Sequence, residues 1–335
     1  MFKLEQCILC GECLMQCQWM NVDLDQAVKW KKLMNSGQHA PALDACITCY
    51  GCNEICPQKA NPFDLIAELQ EKFCRFFPEE SIAATEQQYT FSGELRDIPQ
   101  VDRVMTTCVF GKNEAALIQG ELYNLPKVGG KPYFCWLLFS HMGVESIQRK
   151  HAGDLVSNLA KTGAKEVVCF HDDCYAMLAR IAPDYGIDVP FRPVHLAEYL
   201  VEYVKKNADR IKPINLDIAY QRPCASRHTP EKEHFIDELF ELVGVRRVKR
   251  VYDREKALCC AAVKQLLGMG DPAEDQEKNI LDAKKSGAQA MVYLCPMCRN
   301  NLFVAAQKNK LPFIFIGDLV RMALGELSPD TIGIG

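Results

Sequence analysis

The residues able to do chemistry in this chain are thiols, and they fall into two patterned sets. Cys7, Cys10, Cys13 and Cys17 form a Cys-x2-Cys-x2-Cys-x3-Cys run that recurs 39 positions later as Cys46, Cys49, Cys52 and Cys56. Three thiolates on one tight loop reach three irons of a single four-iron cube. A fourth, displaced onto the following helix, reaches a neighbouring cube. Zinc prefers paired Cys-x2-Cys motifs and has no use for eight evenly spaced thiols. The second set is Cys224, then 34 residues, then Cys259-Cys260, then 34 residues, then Cys295-Pro296-Met297-Cys298. Adjacent cysteines do not easily share one tetrahedral site, so five convergent thiols point away from both a cube and a zinc ion.

The first set resembles that of bacterial ferredoxins. On that pattern one cube takes Cys7, Cys10, Cys13 and Cys56, and the other takes Cys46, Cys49, Cys52 and Cys17. Pro57 completes the usual ending of the second run, whereas Gln18 replaces it in the first. The 28-residue spacer between the runs resembles the α-helical ferredoxin domains of multi-subunit respiratory enzymes. Two such cubes make an electron wire and not by themselves a catalyst.

The second set resembles the cysteine-rich CCG domain of heterodisulfide reductase catalytic subunits and their relatives, with its Cys, Cys-Cys-Gly, Cys-x-x-Cys pattern. The resemblance covers nearly the whole chain. It implies that Cys224, Cys259, Cys260, Cys295 and Cys298 bind a noncubane [4Fe–4S] assembly that cleaves disulfides. Ala261 departs from the pattern, standing where the family usually has glycine.

A longer repeat links the two halves that follow the first module. AKTGAKEVVCFHDDCYAML (160–178) aligns with KKSGAQAMVYLCPMCRNNL (284–302) at an offset of 124, pairing Gly163 with Gly287, Cys174 with Cys298 and Trp136 with Cys260. The first half keeps only Cys108, Cys135 and Cys174, with His171 in a further cysteine's place. With two of five thiols missing, that argues against a second noncubane assembly. Cys108, Cys135, His171 and Cys174 suit a Cys3His zinc site, the alternative being a vestigial site of buried cysteines. Cys74 and Cys169 match no motif and read as core packing.

Helices and strands must hold these groups. Asp23 caps a helix over 24–34 that stops at Gly37, and Asn61-Pro62 starts another carrying Leu65, Ile66, Leu69 and Phe73. Residues 78–100 read as a polar, irregular linker. Expected strands are VDRVMTTCVF, KPYFCWLLF and KEVVCF in the first half, and INLDIAY, RVKRVY, AMVYL and PFIFI in the second. They alternate with amphipathic helices such as 235–245 and 272–287, which predicts parallel α/β sheets with ligands beyond the strand carboxyl ends. The expected organisation is an α-helical dicluster ferredoxin domain (1–78) and a linker (79–100). A degenerate CCG-like α/β domain (101–209), a complete CCG α/β domain (210–327) and a tail (328–335) follow.

Composition narrows the function. Apolar residues are 48% and charged residues 24%, a globular balance, and the formal charge of −4 provides no field for nucleic acid. No dinucleotide fingerprint or P-loop occurs, nor an apolar run long enough to span a bilayer. Eighteen cysteines without a signal peptide read as reduced, metal-binding thiols of a cytoplasmic protein, held peripherally at the membrane only through a partner.

The expected function is an iron–sulfur oxidoreductase subunit passing electrons through two cubes to the noncubane assembly, where a disulfide or related thiol-linked acceptor is reduced. The competing reading is a relay between a flavoprotein and a quinone-reactive membrane partner. Either way the partners are flavoprotein or membrane cytochrome subunits of a redox complex. Arg227 and His228 carry two readings, anchor or proton source for an anionic substrate and solvated loop. Arg246, Arg247, Lys249 and Arg250 read as a solvated edge-strand face.

Overall fold

The computed structural model describes residues 1–74 and 76–328; most of the tail expected at 328–335 lies outside them. The first module is helical. Asp23 caps Leu24–Asn35 by accepting from the Gln26 N–H at 2.8 Å, and the chain turns out at Gly37 with φ 68°. The 39-residue repeat is also a backbone repeat. Leu9 and Gly11 adopt left-handed φ of 57° and 77°, and their counterparts Thr48 and Tyr50 adopt 51° and 61°. Each run thus wraps its thiols around the same bent loop before a short helix. Pro62–Phe73 follows with Pro62 in its first turn, but Asn61 does not cap it. Asn53 Oδ1 accepts from Phe63 N–H at 2.7 Å instead.

Two four-stranded parallel sheets carry the rest of the chain. The first contains β1 (Arg103–Thr106), β2 (Lys127–Val128), β3 (Glu166–Cys169) and β4 (Arg192–His195), in the order β2-β1-β3-β4. The second contains β5 (Leu216–Gln221), β6 (Val245–Arg247), β7 (Ala290–Tyr293) and β8 (Phe313–Phe315), in the equivalent order β6-β5-β7-β8. Identical strand orders establish the two halves as one architecture used twice. One buried core joins them, with Phe170 and Phe315 rings 5.5 Å apart.

Several expectations are corrected. KPYFCWLLF is no strand: Lys131–Tyr133 is a 3-10 turn and Leu137–His141 a helix, while β2 lies earlier. The run is apolar because Phe134 to Leu137 are buried around Cys135, and burial alone does not select a strand. Glu79–Tyr89, expected to be irregular, is a helix with no buried residue. The basic stretch is not a solvated face. Arg246 is exposed beside Asp217, but Arg247 is buried among Glu233, Asp237 and Asp253, and Arg250 among Asn279, Asp282 and the Tyr220 carbonyl. Cys169 is core, whereas Cys74 is half-buried and donates to Asp44 at 3.5 Å.

The caps also shift the long repeat by one residue in one segment. Trp136 and Ala261, at φ 63° and 60°, each precede a five-residue helix closed by Gly143 and Gly268 respectively. That register is 125, so Cys135 stands where Cys260 does, and Trp136 matches Ala261.

Candidate functional site

In the first module Cys7, Cys10, Cys13 and Cys56 line one small cavity with Gly11, Lys31 and Pro57. The Lys31 side chain is 1% exposed, and its ammonium has no hydrogen-bond partner among the described residues. Its ammonium lies 4.2 Å over the Phe2 ring but meets no counter-charge there, and a four-thiolate iron–sulfur cube is an anion, so the cavity suits that group. Burial raises the Cys13 thiol to about 11, opposed by Lys31. Cys17, Cys46, Cys49 and Cys52 lie together nearby: burial first, then Cys46, Cys13 of the first group, Cys49 and Cys17 push the Cys52 thiol well up. Cys56 thus shares a cavity with Cys7, Cys10 and Cys13, while Cys13 and Cys52 stand near each other between the two groups.

The second quartet lies against the five-cysteine set. Cys49 packs into the same buried cluster as Cys224, Cys259, Cys260, Cys295 and Cys298. Arg227 clamps the junction, donating to the Cys49 carbonyl at 3.1 Å and to the Ala257 carbonyl, and is 4% exposed. An added Cβ at Gly51 would stand 3.6 Å from the Cys49 sulfur and 3.7 Å from Arg227 Nε. His141 closes the far side, its Nδ1 2.8 Å from Thr48 Oγ1 and its ring against Tyr50.

The five thiols lie in one buried cluster as a chain of neighbours, in the order Cys224, Cys259, Cys260, Cys298, Cys295. Hydrogen bonds from Cys224 and then Cys260 pull the Cys259 thiol well below its ordinary range, and Cys298 does the same for Cys295. The donors Cys224, Cys260 and Cys298 are held high. Five neighbouring sulfurs in one largely buried cluster are a donor set that suits a multi-metal assembly. The left-handed Ala261 that follows turns the chain into the helix at 262–266, which explains why glycine is usual there.

In the first half the sulfurs of Cys108, Cys135 and Cys174 lie within 4.8 Å of one another, all buried. His171 joins through Cys135 and Asp173, not as an equal fourth member. Its Nε2 stands 3.4 Å from Cys295 Sγ, in the other half. Burial opposes a charge on this ring, yet Asp173, Cys295 and Cys135 raise its pKa well above the usual imidazole range. Asp172 ties the halves again, taking His195 Nε2 at 2.7 Å and the Ser226 hydroxyl at 2.8 Å.

Sequence reasoning missed Lys31, Glu54, Asp172 and Arg222, and it gave Arg227 a solvated alternative. Arg227 and His228 line a cavity of about 580 Å³ between the first module and both halves, with Lys3, Lys59 and Arg180. Trp19, Trp30 and Trp136 pack cores, Trp136 stacked 4.0 Å from His151.

Comparison with known proteins adds independent findings. Residues 3–60 match the family described as "4Fe-4S dicluster domain", and residues 218–303 match "Cysteine-rich domain" (CCG). The chain is 24% identical over 392 aligned positions to a subunit of the dihydromethanophenazine:CoB--CoM heterodisulfide reductase of Methanosarcina barkeri, covering 97% of this chain and 95% of that one. The corresponding protein from Methanosarcina mazei gives the same identity and coverage. A crystal structure of a hypothetical protein from Helicobacter pylori shares the fold, with a TM-score of 0.60 at 10% identity over 93% of this chain and 75% of that one. No helix among the described residues is long and apolar enough to cross a membrane.

Proposed function

We propose that the chain is an iron–sulfur electron-transfer protein of the heterodisulfide reductase family and, from that premise, the disulfide-reducing subunit of a multi-subunit complex. Electrons enter at the quartet of Cys7, Cys10, Cys13 and Cys56, pass to that of Cys46, Cys49, Cys52 and Cys17, and reach Cys224, Cys259, Cys260, Cys295 and Cys298. Those five cysteines would hold an iron–sulfur assembly, and the chemistry such a group would supply there is one-electron transfer to an incoming sulfur. Reducing a disulfide takes two electrons and two protons and yields two thiols.

The observation that carries this reading is the packing of Cys49 among the five cysteines. A wire that ended at the second quartet would not need it to abut a second, crowded thiol set. The protein's own groups exclude water around the sulfurs and fix the loop through Arg227. Cys108, Cys135 and Cys174, with His171 beside them, suit a zinc ion. A flavoprotein or a membrane cytochrome subunit delivers the electrons.

The test is Cys298→Ala in anaerobically purified protein. It should abolish disulfide-dependent electron uptake while the spectroscopic signals of both cubes persist. Full activity in the variant would reduce the protein to a relay.

A further inference from the structure

Cys74 belongs to neither set of patterned thiols. It ends the helix Pro62–Phe73 half-buried, and its thiol donates to Asp44 Oδ1 at 3.5 Å. The other oxygen of that carboxylate, Oδ2, stands 2.9 Å from His39 Nε2. A sulfur, a carboxylate oxygen and an imidazole nitrogen therefore converge, all within 4.8 Å of one another. A tetrahedral zinc ion with bonds of about 2.0–2.3 Å keeps its ligand atoms roughly 3.3–3.6 Å apart, so the trio needs adjustments of about 1 Å, which side-chain torsions supply.

Three separate elements carry these donors, and contacts outside the trio hold each in place. His39 sits in the loop between Leu24–Asn35 and Pro41–Ala45. Lys72 Nζ donates to the Gly37 carbonyl of that loop at 3.1 Å, and the His39 ring stands edge-on to Phe73, 5.9 Å between centroids. Asp44 lies in the short helix that Pro41 begins. Buried Gln70 pins that helix, its Nε2 donating to the Leu43 carbonyl at 2.8 Å and to the Cys46 carbonyl at 3.1 Å. Both anchors, Gln70 and Lys72, belong to the helix that ends at Cys74, so the scaffold sets the donors' places.

We infer that His39, Asp44 and Cys74 form a zinc site apart from the patterned cysteines, joining the end of one helix to the segment that leads into Cys46. Thiol and imidazole together select a borderline cation such as zinc over magnesium or calcium, which take oxygen ligands. Binding exchanges a proton for the metal: Cys74 ligates as the thiolate and its proton passes to solvent. The His39 and Asp44 side chains are 45% and 59% exposed, which gives the ion a way in and leaves room for water as the fourth ligand.

Equilibrium dialysis of anaerobically purified full-length protein against low micromolar zinc tests the site, with the cube signals as an internal check of folding. The wild type should take up about one more zinc per chain than His39→Ala and than Cys74→Ser. Any zinc held by Cys108, Cys135 and Cys174 is common to all three proteins and cancels in the difference. Equal uptake by the wild type and both variants would overturn the inference. A difference that emerged only at millimolar zinc would mark an adventitious ion only and overturn it equally. Excess magnesium should leave the difference intact, and its disappearance would reveal a carboxylate site for hard cations in place of the one inferred.

Discussion

Arg222 Nη1 and Glu54 Oε2 meet at 2.7 Å across 168 positions of chain, with the arginine side chain 1% exposed. Glu54 lies in the short helix after Cys52, and Arg222 follows β5 and precedes Cys224, so this ion pair joins the two cysteine modules. Glu233, 3.0 Å from Arg222 Nε, and the Arg254 carbonyl complete the shell.

Removing one member of a buried pair leaves the other charge stranded. Glu54→Gln should cost about 3 kcal/mol, the low end for such a loss because Glu233 remains. The double variant Glu54→Gln/Arg222→Met should recover part of it in urea unfolding. Equal midpoints for wild type and Glu54→Gln would contradict the clamp.

Ala261 pays for a left-handed φ of 60° that glycine adopts freely. Ala261→Gly should raise stability by roughly 0.5–1 kcal/mol, net of the extra freedom glycine gains on unfolding. A thermal melt checks it, and a lowered midpoint would show that packing around the Ala261 methyl outweighs backbone strain.

These particulars mark what the sequence makes legible. The thiol runs could be read because one loop must present three ligands, which fixes local spacing. Parallel α/β halves showed in the alternation of strand and helix signals. The helix at 137–141 did not, because a short buried run looks alike in either conformation. Nor did Arg222, Arg227 or Arg250. A charged side chain carries no local sign that its partner, Glu54 or Asp282, will meet it in the interior. The one-residue register shift at Trp136 and Ala261 became visible only through their matching φ angles.

Lys31 supplies the lone buried cation among the residues lining the first quartet's cavity. Replacing it by methionine keeps the volume and removes the charge, so the cube there should become harder to reduce while the second cube is unaffected. A redox titration followed by electron paramagnetic resonance resolves the two, and parallel shifts in both would refute a local effect.

His228 is held down to about 4 by burial. Its unfolded value is near 6.5, so the unfolded chain takes up the proton first, and stability falls as pH drops from about 6.5 toward 4. Above that window the group contributes no pH dependence. His228→Gln should flatten the acid side of a melting-temperature profile relative to wild type, and superimposable profiles would remove His228 from the account.

The central claim, that electrons end at the five cysteines, is tested most directly by counting iron in anaerobically purified protein before and after Cys259→Ala. Three four-iron centres require about twelve irons per chain in the wild type, falling to about eight in the variant with both cube signals unchanged. About eight irons in both proteins would show that the five cysteines hold no iron–sulfur centre.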